Sequence, residues 1–525
     1  MLDKAYKILW VDDEIDHLTS HIFFLQKKGL QVETATSGRE AINLISEKKY
    51  DAILLDEFMM DIDGMEVLER IRRTSPALPV IMVTKSEEEH IMDEGFALNL
   101  DDYLIKPVNP KQVIACLKRH LEGSRLKHSR ISRSFGRYYN SINLRINDIT
   151  DWRDWIDIFI DISRWDIDLS DPSLSGVSDL KSLQKNICEE ADAIFSEYYS
   201  RNYTHWLKSK IGERPILSPD IIPTFTLPLL EKYKSVFFIV IDCLRLDQWL
   251  LIETELERMF RLKRDYYFSI IPTSTVYSRN AIFSGLLPVD LQRAEPNYWL
   301  ESSTEEESLN KYEGELLKKM LEQHNAYINN PRYIKISNKV DDDNLRRRMP
   351  SIKSDGLTAL VFNFVDTLTH ERDKQKIIEE IARDTAALRE VVKSWFLRSS
   401  LMELLNHLSE EKDTCIVITS DHGSISTERS ITAYCDKDSV KSLRFWFGRN
   451  LRFDGNKGLL IRKPEEWGLP NDFVGKNYII AKENYNFIFS FDYHHQKRRY
   501  EGAFQHGGIS MPEIILPCTI LEPKV

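Results

Sequence analysis

Aspartates, histidines and a few hydroxyl and ammonium groups stand in this chain at the ends of short apolar runs. Near the start, KILWVDDE ends in Asp12 and Asp13, YDAILLDE in Asp56, LPVIMVTK in Thr84 (then Lys85), and DDYLIKP in Lys106. Three carboxylates can hold Mg²⁺, a hard cation that keeps waters and phosphate in its shell. Asp56 can then attack a phosphoryl group and carry it as an aspartyl phosphate. Lys106 would neutralise one phosphate oxygen, and Thr84 would hydrogen-bond another. Much later, VFFIVID runs into Asp242, ALVFNFVD into Asp366, and TCIVITSD into Asp421 and His422. His370 follows Asp366 by one helical turn, and His506 sits in QHGG. A mixed Asp/His set suits Zn²⁺, with Mn²⁺ also compatible. Six ligands exceed one tetrahedral ion and predict two. Two ions roughly 3.5–4 Å apart can activate a nucleophile and stabilise the leaving oxygen of a phosphoryl displacement.

The elements that must position these groups follow from the apolar patterning. In the first 122 residues, four apolar runs alternate with helical patterns, which predicts βαβ units and a parallel sheet. Ligands in such sheets bind at the carboxyl ends of the strands, so the polar endings gather at one edge. The same logic predicts a second α/β sheet over 214–525. Between them, at 123–213, strand patterns vanish. Trp152, Trp155, Ile156, Phe159 and Ile162 recur at helical spacing, as do Leu180, Leu183, Ile187, Ala191, Ile194 and Tyr198. Asp171-Pro172 and Gly176 punctuate the two patterns. This reads as a helical bundle linker, with its tryptophans in the core. The fold class is α/β: a flavodoxin-like N-terminal domain (1–122), the linker (123–213) and a C-terminal α/β domain (214–525).

The bulk properties narrow the classes. A chain of 525 residues exceeds one hydrophobic core. Its net charge of −11 argues against stable binding to duplex DNA, which needs a basic face. No helix-turn-helix element follows the first domain. No apolar run approaches the roughly 20 residues of a membrane span, and the N-terminus MLDKAYKILWVDDE lacks a signal peptide's apolar region. The six cysteines form no CxxC pair, which predicts reduced thiols and a cytoplasmic chain.

VDDE, LLDEFMMDIDGMEVL, MVT and LIKP resemble bacterial response-regulator receiver domains in order and spacing. That resemblance implies phosphorylation of Asp56 by a sensor histidine kinase. It assigns Tyr103 as the aromatic that reorients with Thr84, and Lys106-Pro107 as a step whose peptide is often cis. Two departures stand out: Lys85 replaces a small residue, and Asp61 replaces a proline.

SDHG and QHGGISMPEIILP are similar to the alkaline phosphatase superfamily, nearest to its phosphodiesterase-like and PglZ branches. The resemblance implies one zinc on Asp366, His370 and His506 and a second on Asp242, Asp421 and His422. It makes Thr275, in IPTSTVYSRNAIFSGLLP, the nucleophile and zinc contact, with Thr273 as runner-up and Ser274 behind it. Ser278 stands where phosphodiesterases carry a phosphate-holding asparagine, so Arg279 is the candidate substrate-phosphate contact. The polar stretch 289–356 and the basic runs Arg346–Arg348 and Lys497–Arg499 read as solvated faces, or as binders of a nucleotide's extra phosphates. The segment 373–408 reads as a packing helix.

The whole order resembles PorX-type response regulators. This implies a phosphorylation-favoured homodimer, control of type IX secretion, and hydrolysis of cyclic or linear nucleotides or short oligonucleotides. The competing class is a regulator with structural zinc whose output is contact with a sigma factor or secretion component.

Overall fold

The computed structural model describes residues 6–524 apart from 76–77, 86–99, 122–123, 172–173, 175–176, 302–309, 327–330, 350–351, 353–354, 373–374, 437–438 and 490–492. Gly176 and Pro172 therefore lie outside the described residues. The chain forms two compact units, one holding 1–144 and 168–184, the other 145–167 and 185–525.

The first unit is built on five parallel strands: β1 (Lys7–Val11), β2 (Gln31–Ala35), β3 (Ala52–Asp56), β4 (Val80–Thr84) and β5 (Asp102–Ile105). Their order is β2-β1-β3-β4-β5. Every residue of β3 and β4 is buried, which explains why these strands read as unbroken apolar runs rather than alternating ones. Helix starts are written in the sequence: Ser37 and Asp63 cap their helices by accepting from the Glu40 and Glu66 N–H groups. Gly64 is required by a close approach, since a Cβ there would lie 2.3 Å from the Asp56 carbonyl oxygen.

In the second unit a six-stranded sheet contains β6 (Ser235–Ile241), β7 (Phe260–Phe268), β8 (Arg332–Ile336), β9 (Gly356–Phe362), β10 (Thr414–Thr419) and the C-terminal strand Ile515–Pro523. β10, β6 and β9 are adjacent and parallel, with β8 parallel beside β9. The C-terminal strand runs antiparallel between β7 and β10. β8 was not expected, because it lies inside the polar stretch 289–356. As an edge strand it keeps Arg332 exposed and Lys335 half-buried, which hides its apolar pattern. The segment 373–408 holds three helices, Lys376–Ile381, Thr385–Arg398 and Ser400–Leu408. Asp384 and Ser399 cap the second and third, and so break the run.

The helices Trp152–Leu169 and Ser178–Trp206 place their second-unit residues in that unit's core. Trp155 is fully buried against Phe195, with ring centroids 5.3 Å apart. Tyr199 Oη donates to the Ser269 carbonyl at 2.8 Å. Leu183, expected at a packing position, is instead 38% exposed. Asp192 accepts the Met511 N–H at 2.6 Å. Burial pushes the Asp192 carboxyl up to about 8, against that N–H and with help from Glu513.

An acid raised in the native state stays protonated while the unfolded chain ionises, so stability falls as pH climbs from about 4 to about 8. Asp192→Asn keeps an acceptor for Met511 and removes the titration. Denaturant unfolding at the two ends of that window should show the variant gaining on the wild type by up to a few kcal/mol, on the order set by linkage. A difference independent of pH would contradict this.

Candidate functional site

In the first unit, Asp12, Asp13 and Asp56 bring ligand atoms within 4.8 Å of one another. They converge because β1 and β3 pair in parallel and end together. Lys106 Nζ lies 2.8 Å from both Asp12 Oδ2 and Asp56 Oδ2. Burial raises the Asp56 carboxyl above its usual range against the pull of Lys106, and Asp12 and Asp13 add to the rise. Burial would lower Lys106, but Asp12 and Asp56 outweigh it and hold the ammonium charged. The Thr84 hydroxyl donates to the buried Glu57 carboxylate. Glu57 escaped sequence reasoning, although a second acid directly after Asp56 in LLDE was a visible signal. Tyr103 is half-buried on β5, and the Lys106-Pro107 peptide is cis. Asp61 earns its departure from proline by accepting the Gly38 and Arg39 N–H groups, each at 3.0 Å. Lys85 faces Glu14 at 3.5 Å in solvent, a pair worth little.

In the second unit two clusters form at the carboxyl edge of β10, β6 and β9. Asp366, His370 and His506 make one, and Asp242, Asp421 and His422 the other, each with ligand atoms within 4.8 Å. Asp366 and His370 sit four residues apart on the helix Phe364–Arg372. His506 reaches the same edge because the C-terminal strand starts beside the end of β10, pairing Cys518 with Thr419. The SDHG loop and the segment after His506 almost touch. Gly423 donates its N–H to the Glu513 carbonyl, and a Cβ on Gly423 would lie 1.9 Å from the Pro512 oxygen.

The protonation pattern suits cation binding. His422 Nδ1 faces the Gly423 carbonyl at 3.1 Å, and His506 Nδ1 faces the Thr273 carbonyl at 3.3 Å. A carbonyl only accepts, so each ring turns a protonated Nδ1 to it and leaves Nε2 as the nitrogen free to face a cation. Burial, followed by the neighbouring His422, holds His506 well below the usual histidine range and neutral. Burial works to raise Asp366, but the His370 hydrogen bond and the nearby imidazoles hold it below the usual carboxylate range. Burial drives Asp242 upward against Arg279, with Asp421 and Asp366 adding to the rise. Asp242 Oδ1, Asp366 Oδ1 and Asp421 Oδ2 are buried with only long contacts, to His422 Nε2 at 3.6 Å, His370 Nε2 at 3.4 Å and Arg279 Nη1 at 3.7 Å respectively. Each would cost on the order of 1–3 kcal/mol if left so. Two divalent cations would satisfy all three and invert the local titration balance. The residues therefore fit the metals that the sequence implied.

Thr275 opens the helix Thr275–Ser284, and its Oγ1 lies 3.0 Å from His422 Nε2. The Ser274 side chain does not cap this helix; its carbonyl takes the Tyr277 and Ser278 N–H groups, which leaves those of Thr275 and Val276 to face an anion. Thr273 is fully buried, donating its hydroxyl to the Gly508 carbonyl and accepting the Gly507 N–H. Asn310 donates to the Thr275 carbonyl at 3.2 Å, a support invisible in the polar stretch that contains it.

Arg279 departs from its expected role. It is 1% exposed; Nη1 pairs with Asp242 and Nε with Glu313, while Asp421 lies 3.7 Å from Nη1. Its guanidinium is held as counter-charge to buried carboxylates, so the phosphate contact read from its position gives way to that role. Ser278 is likewise buried, 2.9 Å from Ser269 Oγ.

Family models match in order along the chain. The response regulator receiver domain matches residues 8–118, the PorX response regulator linker domain 125–207, and the BREX system PglZ alkaline phosphatase-like domain 224–520. Among curated proteins, the alkaline phosphatase synthesis transcriptional regulatory protein PhoP of Bacillus subtilis is 37% identical over 120 residues, 23% of this chain and 50% of that protein. The regulatory protein VanRc of Enterococcus gallinarum is 36% identical over 143 residues, 27% of this chain and 62% of that one. The chain thus spans about half to three-fifths of the length of these relatives. A solved CheY-like receiver from Methanospirillum hungatei is 30% identical, covering 22% of this chain and 94% of its own, with a TM-score of 0.22. Vibrio cholerae CheY4 is 32% identical, covering 22% and 100%, also at 0.22. With the PglZ model spanning more than half its length behind a receiver and their characteristic linker, the chain belongs to the PglZ alkaline phosphatase-like family and has the architecture of a PorX-type response regulator.

Proposed function

We propose that this response regulator, of the alkaline phosphatase superfamily in its effector, is a two-zinc phosphodiesterase acting on cyclic or linear nucleotides and short oligonucleotides. The observation that carries this reading is Thr275 Oγ1, set at a helix N-terminus against His422 of one ligand cluster, whose ring stacks 4.3 Å from His506 of the other. Asp366, His370 and His506 would hold one zinc, and Asp242, Asp421 and His422 the other, with Thr275 in contact. Bound zinc lowers the pKa of a neighbouring hydroxyl and stabilises charge on a departing oxygen. Thr275 Oγ1 is the attacking atom, standing 3.0 Å from the His422 Nε2 that would ligate zinc. The open N–H groups at the helix start bind phosphoryl oxygens. Arg279 keeps Asp242 and Asp421 together while the site is assembled.

Control begins at Asp56, phosphorylated by a sensor histidine kinase with Mg²⁺ on Asp12, Asp13 and Asp56. Phosphate there competes with Glu57 for the Thr84 hydroxyl, Tyr103 follows Thr84, and the receiver face favours a homodimer. Boundaries near 122 and 213, a cytoplasmic location and an output in type IX secretion complete the proposal.

Two measurements test it. With zinc-loaded protein, bis-p-nitrophenyl phosphate should be cleaved in preference to p-nitrophenyl phosphate, and Thr275→Val should lower turnover by roughly 10³-fold or more with zinc content intact. No cleavage of either ester by the wild type would favour a regulator that acts through contact with a sigma factor or secretion component. Separately, Asp56→Ala should retain its zinc yet lose the change in oligomeric state and turnover that a phosphoryl mimic induces. An identical response in that variant would break the proposed coupling.

A further inference from the structure

The carboxyl edge of the second sheet carries a recess beside the metal clusters. Ile336, the last residue of β8, and Phe362, the last of β9, help to line a cavity of about 310 Å³. That is the size range of small-ligand pockets, which start at roughly 300 Å³. Phe364 and Thr367 line it from the helix Phe364–Arg372, which also bears Asp366 and His370. At 3.6 residues per turn, Phe364 and Thr367 share one helix face while Asp366 and His370 share the neighbouring one. The recess and a metal cluster are therefore reached from adjacent faces of one helix.

Its lining has the chemistry of nucleotide recognition. Phe364 and Trp395 stack with centroids 4.6 Å apart and planes at 7°, and both are only half-buried. Lys339 and Arg398 line the recess, are exposed, and form no ion pair among the described residues. The third cation, Arg346, is already taken by Asp342 and Glu403. Asp342 is engaged too, accepting from Arg346 and from the Ser400 hydroxyl. The charge left free at the recess is thus positive, next to an aromatic platform. Sequence-tolerant binding of single-stranded nucleic acid combines these two features, a basic wall and a face on which a base can stack.

We propose that this recess is the subsite for the nucleotide unit next to the scissile phosphodiester. The base of that unit stacks on the Phe364–Trp395 pair, and its outer phosphate takes Lys339 and Arg398. The inference rests on the phosphodiesterase reading of the metal site, and it explains how a linear oligonucleotide would be preferred over a simple diester.

The test compares a 5′-phosphorylated diadenosine with bis-p-nitrophenyl phosphate, which has neither a base nor a second phosphate. In Arg398→Ala and Lys339→Ala the ratio of kcat/KM for the dinucleotide to that for the simple diester should fall by about tenfold. Trp395→Leu should lower it further; should that variant misfold, the two exposed cations still decide. In parallel, anisotropy of a 5′-phosphorylated diadenosine labelled with fluorescein at its 3′ end would be followed on zinc-loaded Thr275→Val, with and without Arg398→Ala. Weaker binding in the double variant supports the subsite. An unchanged ratio, or equal binding by both proteins, overturns it. Absence of bis-p-nitrophenyl phosphate turnover by the wild type would sink the phosphodiesterase reading, and the anisotropy comparison would still decide the recess.

Discussion

Parallel strands that end in acids bring like charges together, and burying those charges is the difficulty on which the second unit is organised. Asp242 and Asp421 follow neighbouring strands and are almost wholly inaccessible to water. A buried carboxylate without a partner is costly, and two side by side cost more. Arg279 relieves this from below, itself fixed by Glu313, whose other oxygen accepts the Tyr333 hydroxyl. Asp242 Oδ1, Asp366 Oδ1 and Asp421 Oδ2 are left without a close donor, an arrangement that suits cations. The antiparallel C-terminal strand completes the arrangement, because its direction returns His506 to the edge where the parallel strands finish. Reversing that strand would leave one cluster a ligand short.

The first unit solves the same problem on a smaller scale with Lys106, which bridges Asp12 and Asp56. It adds a contact beside the acid cluster: the Thr84 hydroxyl is held by Glu57. In the second unit, hydrogen bonds run from the linker helix toward the metal edge. Tyr199 donates to the Ser269 carbonyl, and Ser269 Oγ donates to the Asp421 carbonyl. Tyr267 Oη reaches that same carbonyl at 3.2 Å. A displacement of this linker helix would therefore be felt at Asp421 through two strong contacts. Transmission needs two discrete arrangements of such a network, and under the proposed function phosphorylation of Asp56 would select between them.

What could be read from the sequence was whatever depends on a continuous apolar strand. β3, β4, β6, β9 and β10 announce themselves by unbroken hydrophobic runs, and their polar endings then name the candidate ligands. Residues whose role depends on burial were harder. Arg279 beside a nucleophile looks like a phosphate contact, because nothing local reveals that two acids from distant segments enclose it. Glu313 and Asn310 come from a stretch that reads as polar insertion. β8 is short and carries charge on an edge, so its pairing with β9 is a tertiary fact. The caps at Asp384 and Ser399 break 373–408 into separate helices, and the helical spacing of Leu and Ile masks those breaks.

That masking has a consequence for specificity. Chemistry in this effector is supplied by strand ends, where register fixes geometry and little can vary without loss of the site. Recognition is left to the pieces between them: an edge strand, a capped helix start, and the helix that bears Trp395. These pieces carry none of the six ligand residues, so they can change without altering the ligand set. A fold that keeps its ligand edge constant while varying the neighbouring recess can hold one reaction and exchange its substrate. If the proposed subsite holds, the Phe364–Trp395 pair would matter more to the choice of substrate than any of the six residues that would hold the metals.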